Sequence, residues 1–175
     1  MEEKIFSLLQ LDALKEVSNI GAGNAATSLA TLLRHKVEMT VPVVNEIDIS
    51  KICEKTKKRE VFGIVVGVLG EIQGNILIVF EKEIAIQIIE NLLGCKEKSI
   101  TELGNSALSE MANVLSAGYI NSMSEFTQLK ITTSVPAISY DMLSAILETV
   151  FLESYQYDKQ ILDIETIFKR EKNTI

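Results

Sequence analysis

One frame of residues occurs twice in this chain at a constant spacing. The first copy reads Asp12-Ala13-Leu14-Lys15-Glu16-Val17-Ser18-Asn19, the second Ser106-Ala107-Leu108-Ser109-Glu110-Met111-Ala112-Asn113. Each is followed by a small-residue segment and then a Val-Pro pair, Val41-Pro42 and Val135-Pro136. Positions 12 and 106, 16 and 110, 19 and 113, and 42 and 136 are each 94 apart, with no gap between them. Four matched positions at one offset argue for duplication of a whole unit, which constrains the fold before any local pattern does. Two copies in 175 residues do not make a solenoid. They fit one domain over residues 1–175, with a first repeat at about 4–94 and a second, incomplete, at about 99–175.

Local patterns place the frame on helices. Leu14, Val17, Gly21, Ala25, Ser28 and Leu32 recur at spacings of three and four, which predicts one helix, or two in succession, over residues 4–33. Asp12, Glu16, Asn19, Gly23, Thr27 and Ala30 fall on roughly the opposite face, so Glu16 and Asn19 stand side by side away from the core. Gly21 then faces the core, and Gly23 leaves bare backbone on the polar face for a partner to approach. In the second copy Ser106, Glu110, Asn113, Ala117 and Ser124 give the same polar face, on a helix expected from about Ser106 to Phe126. Ser99 or Thr101 is its candidate cap, with Gly104-Asn105 as a possible break.

Between and after the frames the chain reads as extended. Residues 36–50 look like an edge strand interrupted by Pro42, which lacks a ladder donor. Residues 51–60 read as a polar loop. Residues 61–69 and 75–80 form a hairpin around Gly70–Gly74, followed by an amphipathic helix over Glu81–Leu93 with Gly94 as its C-cap. Residues 129–138 repeat the extended segment, and 145–152 and 160–170 read as strands. Adding the offset of 94 to residues 75–93 gives 169–187, past Ile175. The second copy is therefore expected to lack its last strand and helix, leaving an open sheet edge.

Composition excludes several classes. The net charge of −7 argues against nucleic acid and anionic membrane as main partners, since both need clustered Lys and Arg. The one basic cluster, Lys55 to Arg59, looks like a solvated loop. There is no run of 18 apolar residues to span a membrane, and the acidic start Met1-Glu2-Glu3-Lys4 is unlike a signal peptide. Cys53 and Cys95 fit no metal or redox spacing and read as reduced thiols of a cytoplasmic protein. His35 is the only histidine, and beside Arg34 and Lys36 it reads as an exposed helix end.

A Glu-x-x-Asn on a helix is weak taken alone: Glu102-Leu103-Gly104-Asn105 is a third instance without a Pro at the matching distance. Duplication of the entire frame raises the other two. Neither group is a strong nucleophile, and no metal cluster or phosphate loop accompanies them. An amide orients water through its donor and acceptor ends, as a glutamine does in GTPases, and a carboxylate beside it grips a cation such as a lysine. Three readings follow: a phosphatase working on another protein's phosphorylated pocket, a binding module, or a duplicated domain whose helix faces are merely solvated.

The segments Leu14–Ala26 and Ser106–Asn113 resemble the two signatures of the CheC/CheX/FliY chemotaxis phosphatases, the CheC type most of all. That pattern is Asp or Ser, three residues, Glu, two residues, Asn, about twenty-two residues and Pro, and both copies match it throughout. The resemblance implies an α/β fold with a pseudo-two-fold sheet and the two signature helices paired on one side. It implies hydrolysis of the aspartyl phosphate of the response regulator CheY, with Asn19 and Asn113 positioning the attacking water and Glu16 and Glu110 contacting a regulator lysine. It implies no cofactor of the chain's own, Mg²⁺ being held by the regulator, and the receptor deamidase CheD as a second partner. The alternative within the same resemblance is a non-catalytic module for CheY or CheD, akin to the flagellar switch protein FliM.

Overall fold

The computed structural model describes residues 6–48, 59–96, 100–153 and 160–170. The first helix, α1, spans Leu8–Leu33 without interruption. It starts at 8 because Ser7 closes a capping box: the Gln10 N–H donates to Ser7 Oγ at 3.3 Å, and the Ser7 N–H to Gln10 Oε1 at 2.8 Å. Strands β1 (Val37–Met39) and β2 (Val43–Asp48) follow, then the hairpin β3 (Glu60–Gly70) and β4 (Gly74–Phe80). Helix α2 (Lys82–Leu93) ends on Gly94 at φ 68, as expected of a left-handed cap.

Helix α3 runs over Glu102–Thr127, four residues earlier than the sequence suggests. Gly104-Asn105 is not a break. Thr101 is the cap, its Oγ1 accepting from the Gly104 N–H at 3.2 Å, and Gly104 is buried in the first turn. A Cβ there would stand 3.1 Å from Ile89 Cδ1, so the glycine lets α2 approach closely. Strands β5 (Ile131–Thr133) and β6 (Ala137–Met142) come next, then α4 (Leu143–Glu153), β7 (Gln160–Glu165) and β8 (Phe168–Arg170).

Residues 145–152, expected as a strand, form helix α4 instead. Its buried positions, Leu143, Ile146 and Val150, are three and four apart, which is one face of a helix and not the alternation of a strand. The β-branched content suggested a strand, and packing overrode it. Val61, Leu143, Ile146 and Val150 make a small core on one face of β3, with Ile146 seated against Gly63. On the other face Phe62, Ile64 and Val66 join Ala25, Leu29, Ile88, Ile89, Leu108, Met111 and Leu115 in the main core with α1, α2 and α3. Successive residues of β3 thus serve two cores, as a strand's alternation requires. The two signature helices lie on one side of the sheet, as expected, and α4 covers the other.

All the pairing is antiparallel, and it is reciprocal. The extended segment after α3 (β5 and β6) pairs with β3; the one after α1 (β1 and β2) pairs with β8 and β7. Strands β1 and β5, like β2 and β6, start 94 residues apart (37 and 131, 43 and 137), whereas β3 and the β7–β8 stretch are offset by 100 (60 and 160, 70 and 170). Both seams carry the same bulge. Met39 and Val43 face Phe168 and Glu165, and Thr133 and Ala137 face Val68 and Val65, so four steps on one strand meet three on the other. A hydroxyl closes each bulge. Thr40 donates its N–H to the Ile167 carbonyl (2.9 Å), and its Oγ1 accepts from the Ile167 N–H (3.0 Å). Ser134 does the same with Gly67, at 2.8 Å both ways. Pro42 and Pro136 sit where the ladder is already interrupted and no donor is missed. Among the described residues, no strand pairs with the free edge of β7–β8 and no helix corresponds to α2 in the second half. The expected loop at 51–60 lies almost wholly outside the described residues, apart from Arg59, which pairs with Glu81 at 3.5 Å, and Glu60, which opens β3.

Candidate active site

Helices α1 and α3 pack against each other through small residues. Tyr119 covers Gly21, where an added Cβ would stand 2.9 Å from two ring carbons. A Cβ on Gly118 would stand 3.0 Å from Ser28 Oγ and 3.6 Å from the Asn24 carbonyl. Asn24 Nδ2 donates to Ser122 Oγ at 2.7 Å. Gly21 is buried, as expected, and lies under the Tyr119 ring, which itself packs on the main core; the missing side chain admits the ring.

The four candidate residues project from this pair. Glu16 and Asn19 lie in the middle of α1, Glu110 and Asn113 in the first half of α3. Both glutamates are exposed and both asparagines half-buried. The neighbours between them turn inward: Val17 and Ser18 in one helix, Met111 and Ala112 in the other. Each pair is one turn of ridge, about 60° apart around the helix axis, with inward residues between. Each asparagine precedes the Asn24–Gly118 crossing by five residues, roughly 7–8 Å along its helix. Among the described residues, the four side chains form no hydrogen bond and no ion pair. Nor do the two pairs bond to each other.

The surroundings differ. Beyond Asn19, a groove of about 600 Å³ runs along Gly23, Ala26, Thr27, Ala30 and Arg34. Gly23 is half-buried there, with Met39 Cε 4.0 Å from where its Cβ would be. Its bare backbone is therefore lightly covered, where the sequence suggested open space. His35, expected to be exposed, is half-buried at the end of this groove. The frame's leading residues, Asp12 and Ser106, are both exposed, and Ser106 Oγ donates to the Glu102 carbonyl at 3.0 Å. Cys95 is exposed, and Cys53 lies outside the described residues. No group of His, Cys, Asp and Glu among the described residues is arranged to hold a metal. No helix there is long and apolar enough to cross a membrane.

Sequence reasoning missed Thr40 and Ser134, which fix where each frame's strand joins the sheet. Their one signal was a hydroxyl two residues before each Pro.

Comparison with known proteins decides the family. The CheC-like family model matches residues 9–46, and the chemotaxis phosphatase CheX model matches residues 62–156. The CheY-P phosphatase CheC of Bacillus subtilis is 30% identical over 164 residues, which cover 90% of this chain and 78% of that protein. This chain belongs to the CheC-type chemotaxis phosphatase family. The flagellar motor switch phosphatase FliY of Bacillus subtilis is 34% identical over 136 residues, 75% of this chain but only 36% of FliY. Among solved structures, Thermotoga maritima FliY superposes with a TM-score of 0.78 at 21% identity, covering 96% of this chain and 86% of that one. The FliM middle domain from H. pylori shares the CheC-type fold at a TM-score of 0.64 and 14% identity, covering 97% and 88%. The fold is thus common to relatives named as phosphatases and to FliM, and fold alone does not assign an activity.

Proposed function

We propose that this protein hydrolyses the aspartyl phosphate of a CheY-type response regulator. The observation that carries the reading is two Glu/Asn pairs on two mutually packed helices, the glutamates exposed, the asparagines half-buried, and none of the four side chains hydrogen-bonded or ion-paired among the described residues. Asn19 and Asn113 enter the regulator's phosphorylated pocket. There the amide oxygen accepts from a water and holds it in line with phosphorus, while the amide N–H₂ is free to donate to a phosphoryl oxygen. Water oxygen bonds to phosphorus as the acyl phosphate P–O bond breaks; the regulator's aspartate leaves as carboxylate and the proton departs with inorganic phosphate. Glu16 and Glu110 each grip a regulator lysine and set the approach angle. Mg²⁺, held by the regulator, supplies charge neutralisation, and the chain itself brings no cofactor. CheD is a further partner on the same family likeness.

The test is phosphate loss from phosphorylated CheY, with and without the protein, beside Asn19→Ala, Asn113→Ala and the double variant. By analogy with losing one positioned hydrogen-bonding group, removing an asparagine lowers the rate at its own site by roughly 10²-fold or more. Each single variant therefore retains the other site's share of activity, and the double variant loses nearly all. A wild-type protein that binds the regulator and leaves its dephosphorylation rate unchanged sinks the enzyme reading and makes this a docking module.

A further inference from the structure

We infer that the first Glu/Asn pair has a second hold on the regulator: a pocket beside Asn19 that takes a basic side chain, lysine or arginine, from the rim of the regulator's phosphorylated site. The inference rests on the phosphatase reading and adds a substrate contact to the lysine that Glu16 grips. The pocket comes from the way the signature helices pack. Gly118 of α3 lies against Ser28 of α1, and Ser122, one turn further on, accepts a hydrogen bond from Asn24, one turn earlier. The two helices therefore run antiparallel, and a further turn brings Phe126 beside Ile20. Ile20, Asn24, Ser122, Glu125 and Phe126 line an open pocket of about 410 Å³ there. Ile20 follows Asn19 in sequence and stands one turn beyond Glu16, so the pocket borders both members of the pair.

Its chemistry selects a cation on an aliphatic stem. None of these lining residues is basic. Ser122 Oγ donates its proton to the Gly118 carbonyl at 2.8 Å, so it accepts from Asn24 Nδ2 at 2.7 Å. That bond fixes the amide and leaves Asn24 Oδ1 as an acceptor with no partner among the described residues. The exposed Glu125 carboxylate has none there either. Phe126 is 56% exposed, next to the half-buried Ile20. A lysine or arginine stem covers these two apolar side chains while its head meets Glu125, Asn24 Oδ1 and the ring face. The second pair lacks this pocket. Exchanging the halves by the spacing of 94 replaces Asn24 by Gly118, Glu125 by Thr31 and Phe126 by Leu32. Thr31 Oγ1 donates to the Thr27 carbonyl at 3.0 Å, and Leu32 packs against the main core. The residues in the equivalent place beside Asn113 thus bring no carboxylate, amide or aromatic ring.

The experiment uses two single-site backgrounds of the full chain: Asn113→Ala, which leaves the first pair, and Asn19→Ala, which leaves the second. Glu125→Gln keeps the shape and removes the charge; Phe126→Leu keeps apolar cover and removes the ring. In the first-pair background each raises KM toward phosphorylated CheY by roughly 2- to 5-fold, the range for an exposed ion pair or cation–ring contact, with kcat unchanged. The rise of KM with salt is shallower in Glu125→Gln than in its parent, because one screened attraction is gone. In the second-pair background both variants leave KM unchanged within about 1.5-fold. No rise in KM from Glu125→Gln in the first-pair background, or an equal rise in both backgrounds, overturns the inference while leaving the phosphatase reading intact. So does an inactive first-pair background beside an active second. Absence of activity in wild type and both backgrounds overturns that reading and this inference with it.

Discussion

Asp163 on β7 stands opposite Asn45 on β2, half-buried, with Glu165 two residues along the same face. Burial, and then the charge of Glu165, hold its carboxyl above the ordinary carboxylate range, and a hydrogen bond from Asn45 pulls it partly back. The folded chain therefore keeps this proton to higher pH than the unfolded chain does. Between the unfolded value and the raised folded value, the folded state binds more protons, so this group's contribution to stability declines as pH rises through that window. Asp163→Asn removes the titration. We expect the variant to melt higher than wild type at pH 7, by on the order of 1–2 °C once solvent screening of a half-exposed group is allowed for. The gap closes as pH falls below the ordinary carboxylate range. A thermal melt series across pH checks this, and a variant less stable than wild type at pH 7 rules it out. The residues of the candidate site were legible in the sequence because facing is set locally: residues three apart on a helix share a side whatever the rest of the chain does. Asp163 was not, because its environment comes from a strand more than a hundred residues earlier.

Helix α1 holds two glycines whose roles are opposite although they are two residues apart. Gly21 lies under the Tyr119 ring with no room for a methyl, while Gly23 has only Met39 Cε at 4.0 Å. Alanine gains about 1 kcal/mol of helix propensity at either place. At position 21 the clash with the body of an aromatic ring costs about 1–3 kcal/mol, which outweighs the gain. Gly21→Ala should therefore lower the urea midpoint and Gly23→Ala raise it, by about 0.5–1 kcal/mol in the second case. Shifts of the same sign in both variants would show that the ring yields. The period of the sequence put Gly21 on the inner side of this helix and Gly23 on its polar face; that the inner neighbour of Gly21 is an aromatic ring of the other signature helix was decided by the tertiary structure. Helix α4 shows the converse. Leu143, Ile146, Leu147 and Val150 carry helical spacing, and the reading as a strand followed composition where period was the better guide.

In the whole molecule, β3 is the element with neighbours on every side. It pairs with β4 along one edge and with β5 and β6 along the other, and a core covers each face. Strands β7 and β8 pair, among the described residues, with β2 and β1 alone. Amides of β3 should exchange with solvent only on global unfolding. Those of β7 and β8 should exchange through a smaller opening, with protection lower on the order of 10²-fold. Hydrogen exchange read by peptide mass spectrometry checks this; equal protection in both strands would mean that the two seams open as one unit.

The Glu16/Asn19 and Glu110/Asn113 frames, the hairpin of β3 and β4, the cap at Gly94 and the family likeness were fixed by local chemistry and by the spacing of 94, which needs no third dimension to count. What tertiary structure alone decided was how the halves interlock. Each frame's strand pairs across to the other half, the bulges are closed by Thr40 and Ser134 on residues far away in sequence, and Tyr119 of one signature helix settles on Gly21 of the other. Such contacts depend on which surfaces meet after the chain has doubled back. That is set by the fit of whole faces, through burial and packing summed over both cores, and no window along the sequence contains both sides of it.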